Sequence, residues 1–266
     1  MLLKNIMREP YFVDKDENIA KAFEIFDRKK ETHIIVTDEG RVVGILSIKD
    51  LLRTVLDRMR WGSQRVGKLY VSAMMTPNPI CVSPQESIEK IAKLMTEKGI
   101  SSVIIGENLE TIDEVYIITK KDILVHWDDL CKKEIVVSEV MTENPIVTHP
   151  GTSIKHAEWI LRERKISTLP VLDEGELVGY IDARLLSLFI VETYLKGDIK
   201  HFDKYLETAT VSDAMKAPHF VEEDQTLDYA ATLLVKKRAK GTPITSSNKL
   251  VGILTETDFT RIIASK

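Results

Sequence analysis

The chain has 266 residues, of which 44% are hydrophobic and 29% are charged, a composition typical of a soluble globular protein. Its formal net charge of −4 argues against a chain that coats nucleic acid, which would usually be basic. The two cysteines, Cys81 and Cys131, form neither a disulfide framework nor a metal-ligand spacing, so a reducing cytoplasm is the expected location. The longest apolar-rich stretch, residues 185–195, is too short to span a bilayer, and the apolar run at the N-terminus is too short for a signal peptide.

One short pattern recurs four times. An apolar run is followed by Ser/Thr-x-x-Asp, which predicts a buried strand that turns into a helix, with the hydroxyl at the N-cap and the carboxylate one turn later. Three copies are complete, at Val43–Asp50, Val115–Asp122 and Val251–Asp258, and the fourth, Val178–Leu185, has Asp182 in place of the Ser/Thr and loses the final aspartate. In a single copy this pattern would indicate no more than a capping box. Four copies in register indicate a repeat architecture.

Each copy lies at the end of a longer unit with the same order of parts. The unit opens on a methionine and a nearby proline, at Met7, Met75, Met141 and Met215. The proline ends any preceding helix and favours an extended segment, predicted at Tyr11–Val13, Ile80–Val82, Ile146–Thr148 and His219–Val221. A helix follows, with apolar residues at i, i+3, i+4 and i+7. The third unit breaks this stripe, because Glu158 occupies one of its four positions.

Two strands joined by a turn and a final helix complete the unit. The predicted order is therefore β-α-β-β-α, four times, in an α/β (α+β) fold. The predicted repeat boundaries are 1–68, 69–131, 132–206 and 207–266. One unit of about 60 residues buries too little surface to be stable alone, so we expect two pairs, 1–131 and 132–266. The short polar join Lys132–Glu134 separates the pairs, and the longer connectors Arg53–Lys68 and Ser187–Leu206 lie within them.

These units resemble the CBS-domain family, in its stand-alone archaeal or bacterial type with four tandem repeats. The supporting features are the Met-Thr-x-x-Pro openings, Leu169–Val171 as Leu-Pro-Val, and the strand-to-helix Gly-x-x-Ser/Thr-x-x-Asp. The resemblance covers nearly the whole chain. It implies that two repeats pair through their sheets into a pseudo-twofold Bateman module, and that this chain forms two such modules.

The resemblance also implies a ligand. Family members commonly bind adenine nucleotides or S-adenosyl compounds in the cleft between two paired repeats. The aspartate of Ser/Thr-x-x-Asp would accept hydrogen bonds from the ribose hydroxyls, and the Ser or Thr, with the helix N-terminus, would face the phosphate. AMP, ADP and ATP are the expected ligands, with S-adenosylmethionine as another possibility.

Carried over position by position, the resemblance implies three pockets. The most complete set is Thr255 and Asp258 with Thr142, Val147, Ser167 and Thr168. A second set is Ser47 and Asp50 with Thr76, Cys81, Ser101 and Ser102. A third set is Thr119 and Asp122 with Phe12, Thr32 and His33, where Tyr116 replaces the glycine and the opening lacks Met-Thr. The fourth pocket would need an aspartate at Leu185, and Asp182, one turn away, cannot be assumed to replace it.

Nearby cations would set how many phosphates are bound. The candidates are His33, Lys98, Lys165, Arg238 and Lys240, each of which could equally be a solvated surface charge. The basic connector around Arg53–Lys68, which contains Trp61, is either a solvated linker or a contact for an acidic partner or RNA. The apolar side chains of residues 185–195 are either core or an interaction face.

Two function classes remain open. The first is a regulatory sensor that binds an adenine nucleotide and signals occupancy to an unidentified partner. The second is a structural adaptor that docks a protein or ribonucleoprotein and has vestigial nucleotide sites. No P-loop, dinucleotide-binding or hydrolase motif is present, so we expect no enzyme activity, no catalytic cofactor and no metal. DNA and membranes are not expected partners. The chain should form a homodimer or a closed disc made from its own two modules.

Overall fold

A computed structural model describes residues 3–60, 69–196 and 202–266. It confirms the predicted α+β class, with the strand and helix order repeated four times. The first repeat comprises β1 (Phe12–Asp14), α1 (Ile19–Arg28), β2 (His33–Asp38), β3 (Arg41–Ser47) and α2 (Ile48–Arg60). The second comprises β4 (Thr76–Pro77), β5 (Cys81–Val82), α3 (Ile88–Lys98), β6 (Ser102–Ile105), β7 (Tyr116–Thr119), α4 (Lys120–Val125) and α5 (Trp127–Leu130).

The second half follows the same plan. The third repeat comprises β8 (Thr142–Glu143), α6 (Ile154–Glu163), β9 (Thr168–Asp173), β10 (Glu176–Asp182), α7 (Ala183–Lys196) and α8 (Phe202–Thr208). The fourth comprises α9 (Val211–Ala214), β11 (Val221–Glu222), α10 (Leu227–Lys237), β12 (Gly241–Ser246), β13 (Lys249–Thr255) and α11 (Glu256–Ala264). The predicted strand at Ile146–Thr148 is reduced to a single parallel bridge between Thr148 and Val171.

The first helix of each repeat begins at a capped position. The side chain of the residue before it accepts a hydrogen bond from a backbone N–H in the first turn, which satisfies one of the free donors there. The caps are Asn18, Ser87, Ser153 and Thr226. The predicted apolar stripe is buried in each repeat, with Phe23 only partly so.

The opening segment of each repeat crosses to its neighbour in sequence. Thr76 and Pro77 pair with β3 of the first repeat, and Thr142 and Glu143 pair with β13 of the fourth. Single antiparallel bridges, Arg8 to Ile117 and Lys216 to Tyr180, complete the set. Repeat one is therefore tied to repeat two, and repeat three to repeat four, by backbone hydrogen bonds at the sheet edges.

This crossing explains the glycine in the repeated pattern. A Cβ at Gly44 would lie 2.6 Å from the sulfur of Met75, and one at Gly252 would lie 2.5 Å from the sulfur of Met141. The methionine that opens one repeat thus lies directly on the strand of its partner, where no side chain fits.

Helices join the two halves of the chain. Helix α2 packs on α7, and α3 packs on α11. One apolar core therefore combines repeats one and three, and a second combines repeats two and four. A smaller cluster, Ile35, Val42, Ile104 and Val115, lies between the sheets of repeats one and two. The two modules of one chain pack against each other, as one of the two assemblies expected from the sequence requires. The homodimer remains a prediction.

Two predicted connectors are more ordered than expected. Helix α2 continues to Arg60, so the segment from Arg53 begins as helix rather than as linker, while Trp61–Lys68 lie outside the described residues. In the second connector, Val191 and Tyr194 are buried and Leu188 and Phe189 pack on the same core. The core interpretation of this apolar stretch therefore holds, because α7 lies between α2 and α6.

The crossing can be tested at Gly179. A Cβ there would lie 2.8 Å from the carbonyl oxygen of Lys216 and 3.0 Å from the sulfur of Met215. Gly179→Ala should therefore lower the free energy of unfolding by about 1–3 kcal/mol, as overpacked core substitutions do. Gly151→Ala, where a Cβ meets nothing within 4 Å, is the control and should change it by less than about 0.5 kcal/mol. Equal effects in urea denaturation would show that the contact does not constrain the strand.

A buried histidine at the interface of repeats three and four predicts a pH effect. His219 packs edge-on against the ring of Tyr180, with ring centroids 4.2 Å apart. Burial lowers the pKa of His219 to about 4 from an ordinary value of 6.5. As the pH falls below 6.5 the unfolded chain takes up the proton first, so stability is lost between about pH 6.5 and pH 4.

His219→Phe should remove this dependence while keeping the ring contact. Between pH 7 and pH 5 the parent should lose about 2 kcal/mol more unfolding free energy than the variant. Denaturant titrations at the two pH values measure the difference. Identical losses in parent and variant would mean that His219 is protonated within the folded protein.

Candidate functional site

The strand-to-helix junctions of three repeats have one geometry. In the first repeat, Asp50 Oδ2 accepts hydrogen bonds from the backbone N–H of Ser47 (2.8 Å) and from its hydroxyl (2.7 Å). Asp122 does the same for Thr119, at 2.7 Å and 2.7 Å, and Asp258 does so for Thr255, at 2.8 Å and 2.9 Å. The capping role of the motif is thus present at each position, and it occupies one carboxylate oxygen.

The other oxygen is what distinguishes the junctions. Asp50 Oδ1 lies 3.1 Å from Arg53, and Asp258 Oδ1 lies 3.2 Å from Arg261. Both arginines are largely exposed, and such pairs are weak and easily exchanged for another partner. These two carboxylates can therefore accept hydrogen bonds from a ligand hydroxyl.

Asp122 is held differently. Its Oδ1 accepts from Arg8 Nε at 3.1 Å, and Arg8 also binds Glu31 at 2.8 Å. Arg8 stands where the second and third repeats have the threonine of Met-Thr. Of the residues predicted to share a pocket with Asp122, Thr32 and His33 hydrogen-bond to each other at 3.0 Å. Phe12 packs against the small apolar cluster between the sheets of repeats one and two. Because Arg8 pairs with both Asp122 and Glu31, a ligand that bound Asp122 would have to displace an internal ion pair.

The third repeat has a different junction, as the missing aspartate at Leu185 predicted. Asp182 takes the N-cap place and is buried, with Oδ1 accepting from the backbone of Leu185 at 2.7 Å. Its Oδ2 accepts from the backbone N–H of Lys240 at 3.2 Å, across the boundary to repeat four. Burial raises the pKa of Asp182 despite these two bonds. Both carboxylate oxygens of Asp182 thus accept hydrogen bonds from backbone N–H groups of the chain itself.

A cavity of about 720 Å³ opens at Asp50. This volume lies within the range of small-molecule sites, about 300–1,000 Å³. The lining includes five of the six residues predicted for this pocket: Ser47, Asp50, Thr76, Ser101 and Ser102. Cys81, the sixth, does not line it. The Cys81 thiol instead donates to the carbonyl oxygen of Gly106 at 3.4 Å, and burial raises its pKa.

His33 belongs to this cavity rather than to the pocket predicted at Asp122. Its Nε2 lies 2.8 Å from the hydroxyl of Ser101, and its ring lines the cavity wall. Burial, with the charges of Lys240 and Lys49, lowers the pKa of His33 to about 3. A lowered pKa favours the neutral ring at neutral pH, which argues against His33 as a source of positive charge for a phosphate.

The set around Thr255 is more closely packed. Thr168 is buried, and a Cβ on Gly241 would lie 2.8 Å from its hydroxyl oxygen. Ser167 accepts a backbone hydrogen bond from Ala183 at 2.8 Å, while Val147 is half-buried and Thr142 is exposed. Neither of the two cavities described in the chain includes Thr255 or Asp258 in its lining. A ligand at this set stays a prediction.

Positive charge gathers behind the Asp50 cavity, where the helices of the two modules meet. Lys49 lines the cavity, and burial together with the charge of Lys240 lowers its pKa. Burial also lowers the pKa of Lys120, which donates to the hydroxyl of Thr257 at 3.1 Å. Lys240 itself pairs with Glu256 at 2.9 Å. An anionic group at this end would relieve the repulsion among these ammonium groups.

Four residues at these junctions and the cavity were not predicted as site residues from the sequence. Arg53 and Arg261 each follow the aspartate by three positions, so Ser/Thr-x-x-Asp-x-x-Arg was a visible signal at the two junctions whose carboxylate pairs with an exposed arginine. Glu158, noted only as a break in an apolar stripe, lines the cavity from the other module, as does Arg162. No sequence pattern reports a contact between modules, so Arg162 could not be found in that way.

Other chemistries lack support. Within residues 3–60, 69–196 and 202–266, no group of three or more His, Cys, Asp or Glu side chains is placed to hold a metal ion. In the same ranges, no helix is both long enough and apolar enough to cross a bilayer. The cavity at Asp50 is lined by hydrogen-bonding, charged and apolar side chains.

Known proteins resemble this chain in sequence. The chain is 39% identical to the inosine-5'-monophosphate dehydrogenase of Staphylococcus saprophyticus over 105 residues, which are 39% of this chain and 21% of that enzyme. It is 26% identical to the CBS domain-containing protein CBSCBSPB3 of Arabidopsis thaliana over 219 residues, covering 68% of this chain and 39% of that protein. The chain thus spans only about a fifth of the length of the dehydrogenases that it matches.

Solved structures match over nearly the whole chain. Protein MJ1225 from Methanocaldococcus jannaschii superposes with a TM-score of 0.81 at 21% identity, covering 99% of this chain and 100% of that one. A conserved protein from Pyrococcus horikoshii superposes with a TM-score of 0.64 at 19% identity, with the same coverage. These likenesses show the fold.

The family follows from the repeats themselves. The CBS domain family model matches residues 3–57, 71–128, 137–191 and 211–265. Each match contains one strand-to-helix junction of the kind described above. The chain belongs to the CBS domain family, with four copies of that domain.

Proposed function

We propose that this chain is a regulatory protein that binds an adenine nucleotide, with its main site in the cavity at Asp50. The observation that carries the proposal is the convergence of five predicted ligand residues on one cavity of about 720 Å³. Ser47 and Asp50 come from repeat one, and Thr76, Ser101 and Ser102 from repeat two. A cleft shared by two repeats can report occupancy, because a ligand there contacts both of them.

The lining suits the three parts of a nucleotide. Ile80, Ile100 and Ile104 offer an apolar surface for the base. Asp50 Oδ1, once released by the exposed Arg53, accepts from the two vicinal ribose hydroxyls. The N-terminus of α2 and Lys49 provide donors and positive charge for phosphate. This arrangement supports AMP, ADP or ATP, and S-adenosylmethionine is the further candidate.

The regulated partner is an unidentified protein or ribonucleoprotein, and a cytoplasmic location and a homodimer remain part of the proposal. Binding would act on the partner by changing how α2 and the neighbouring helices of the other module pack. Enzyme activity is not part of the proposed function.

The second candidate function is a structural adaptor with vestigial sites. Two contacts favour this function: Arg8 pairs with Asp122, and the backbone N–H of Lys240 donates to Asp182. Groups of the chain itself therefore occupy the carboxylates at two of the four junctions. An adaptor would bind its partner equally well with and without nucleotide.

Calorimetric titration with AMP, ADP, ATP and S-adenosylmethionine tests the proposal. Asp50→Ala should weaken adenosine-ligand affinity about 10- to 150-fold, which corresponds to about 1.5–3 kcal/mol for a hydrogen bond to a charged group. Asp122→Ala is the matched control. It removes an equivalent cap, with hydrogen bonds of 2.7 and 2.7 Å against 2.8 and 2.7 Å at Asp50. Its other oxygen is already bound by Arg8, so affinity should stay within about twofold of the parent.

The two variants separate binding from stability. Both lose one capping carboxylate, at a cost of about 0.5–2 kcal/mol in unfolding free energy. If Asp122→Ala lost binding and Asp50→Ala kept it, the sites would be assigned the wrong way round. If the parent bound none of the four ligands at millimolar concentration, the adaptor would replace the sensor.

A further inference from the structure

We propose that Glu158 and Arg162, on α6 of the second module, determine how much negative charge the ligand in the first module's cavity carries. The inference rests on the proposed function at Asp50. It adds a specificity-determining pair from a repeat of the other module, which lines one wall of the cavity but does not contribute the ribose carboxylate.

Glu158 stands at a position where the other repeats are apolar. The equivalent places on the first helices of repeats one, two and four are Phe23, Ala92 and Ala231. Ala92 and Ala231 are buried in the core, and Phe23 packs against it. The same position on α6 faces the cavity at Asp50, so a carboxylate there is in contact with the ligand space.

Burying an ionised carboxylate on a helix face is unfavourable unless the charge is paired with a cation or hydrogen-bonded. Glu158 is only 8% exposed. Arg162, one turn later, places Nε 3.1 Å from Glu158 Oε1 and also lines the cavity. Arg162 is half-exposed and pairs with Glu163 outside the cavity as well. It can therefore turn toward a ligand anion while Glu158 remains fixed in the wall.

The pair belongs to a nearly neutral set of charges. The described lining carries the carboxylates of Asp50, Asp57 and Glu158 and the cations of Lys49, Arg53 and Arg162. A sphere of the cavity's volume is about 11 Å across, close to the Debye length of about 8–10 Å at physiological salt. Each wall charge therefore acts on any ligand in the cavity, and removing one changes the balance by a whole unit.

The two members of the pair should have opposite effects. Removing the charge of Glu158 should favour a polyphosphate over an uncharged nucleoside, because one repulsive charge disappears. Removing the charge of Arg162 should favour the nucleoside. A residue that only shapes the wall would change both ligands together, so the ratio of the two affinities isolates the electrostatic role.

The experiment compares ATP and adenosine affinities by calorimetry in the full chain. Only the binding that Asp50→Ala weakens about tenfold or more is assigned to this cavity. Glu158→Gln should raise the ATP-to-adenosine affinity ratio about three- to tenfold, and Arg162→Gln should lower it by a similar factor. Glu163→Gln is the control, since it removes the exposed partner of Arg162 without touching the cavity, and should leave the ratio within about twofold.

The outcomes separate this inference from the proposed function. If the parent binds and Glu158→Gln and Arg162→Gln shift the ratio in the same direction, or by less than twofold, the pair does not select charge. If the parent binds neither ligand, the proposed function fails and this inference fails with it. Melting temperatures of the three variants within a few degrees of the parent would show that altered ratios do not arise from unfolding.

Discussion

The arrangement depends on one carboxylate at the junction of strand and helix. At Asp50, Asp122 and Asp258 one oxygen closes the turn by accepting from the Ser or Thr three residues earlier, which fixes where the second helix begins. The second oxygen pairs with an arginine, which is Arg53 or Arg261 on the same helix at Asp50 and Asp258, and Arg8 of the neighbouring repeat at Asp122. The three repeats differ in what binds that second oxygen: a largely exposed arginine at Asp50 and Asp258, and at Asp122 the partly buried Arg8, which also pairs with Glu31.

Much of the fold was predictable, because it follows from local chemistry repeated four times. The capped helices, the apolar stripes and the turn between β2 and β3 each have a signal within a few residues. The glycine of the repeat also has a physical reason, since the methionine opening the paired repeat lies on it. Tyr116 replaces that glycine on the strand that receives the opening of repeat one, where Arg8 and Ile117 form a single bridge.

The site was less predictable, because its decisive contacts join residues far apart in sequence. The sequence ranked the pocket at Asp258 above the one at Asp50, since its opening and strand matched the family pattern best. The structure places a cavity at Asp50, completed by Glu158 and Arg162 from the other module. It also brings Arg8 to Asp122, and Asp182 to Lys240, across 114 and 58 residues. Only the packing of the repeats against one another shows which carboxylate oxygens are already bound within the chain.

The central claim is that the four junctions are unequal and that the one at Asp50 receives the ligand. A crystal structure of the full chain grown with AMP would test it most directly. The account predicts an adenosine between Asp50 and the Ser101–Ser102 segment, with the ribose on the oxygen that Arg53 now approaches and α6 of the second module against the ligand. Adenosine bound at Asp122 or Asp182, with the cavity at Asp50 empty, would contradict it.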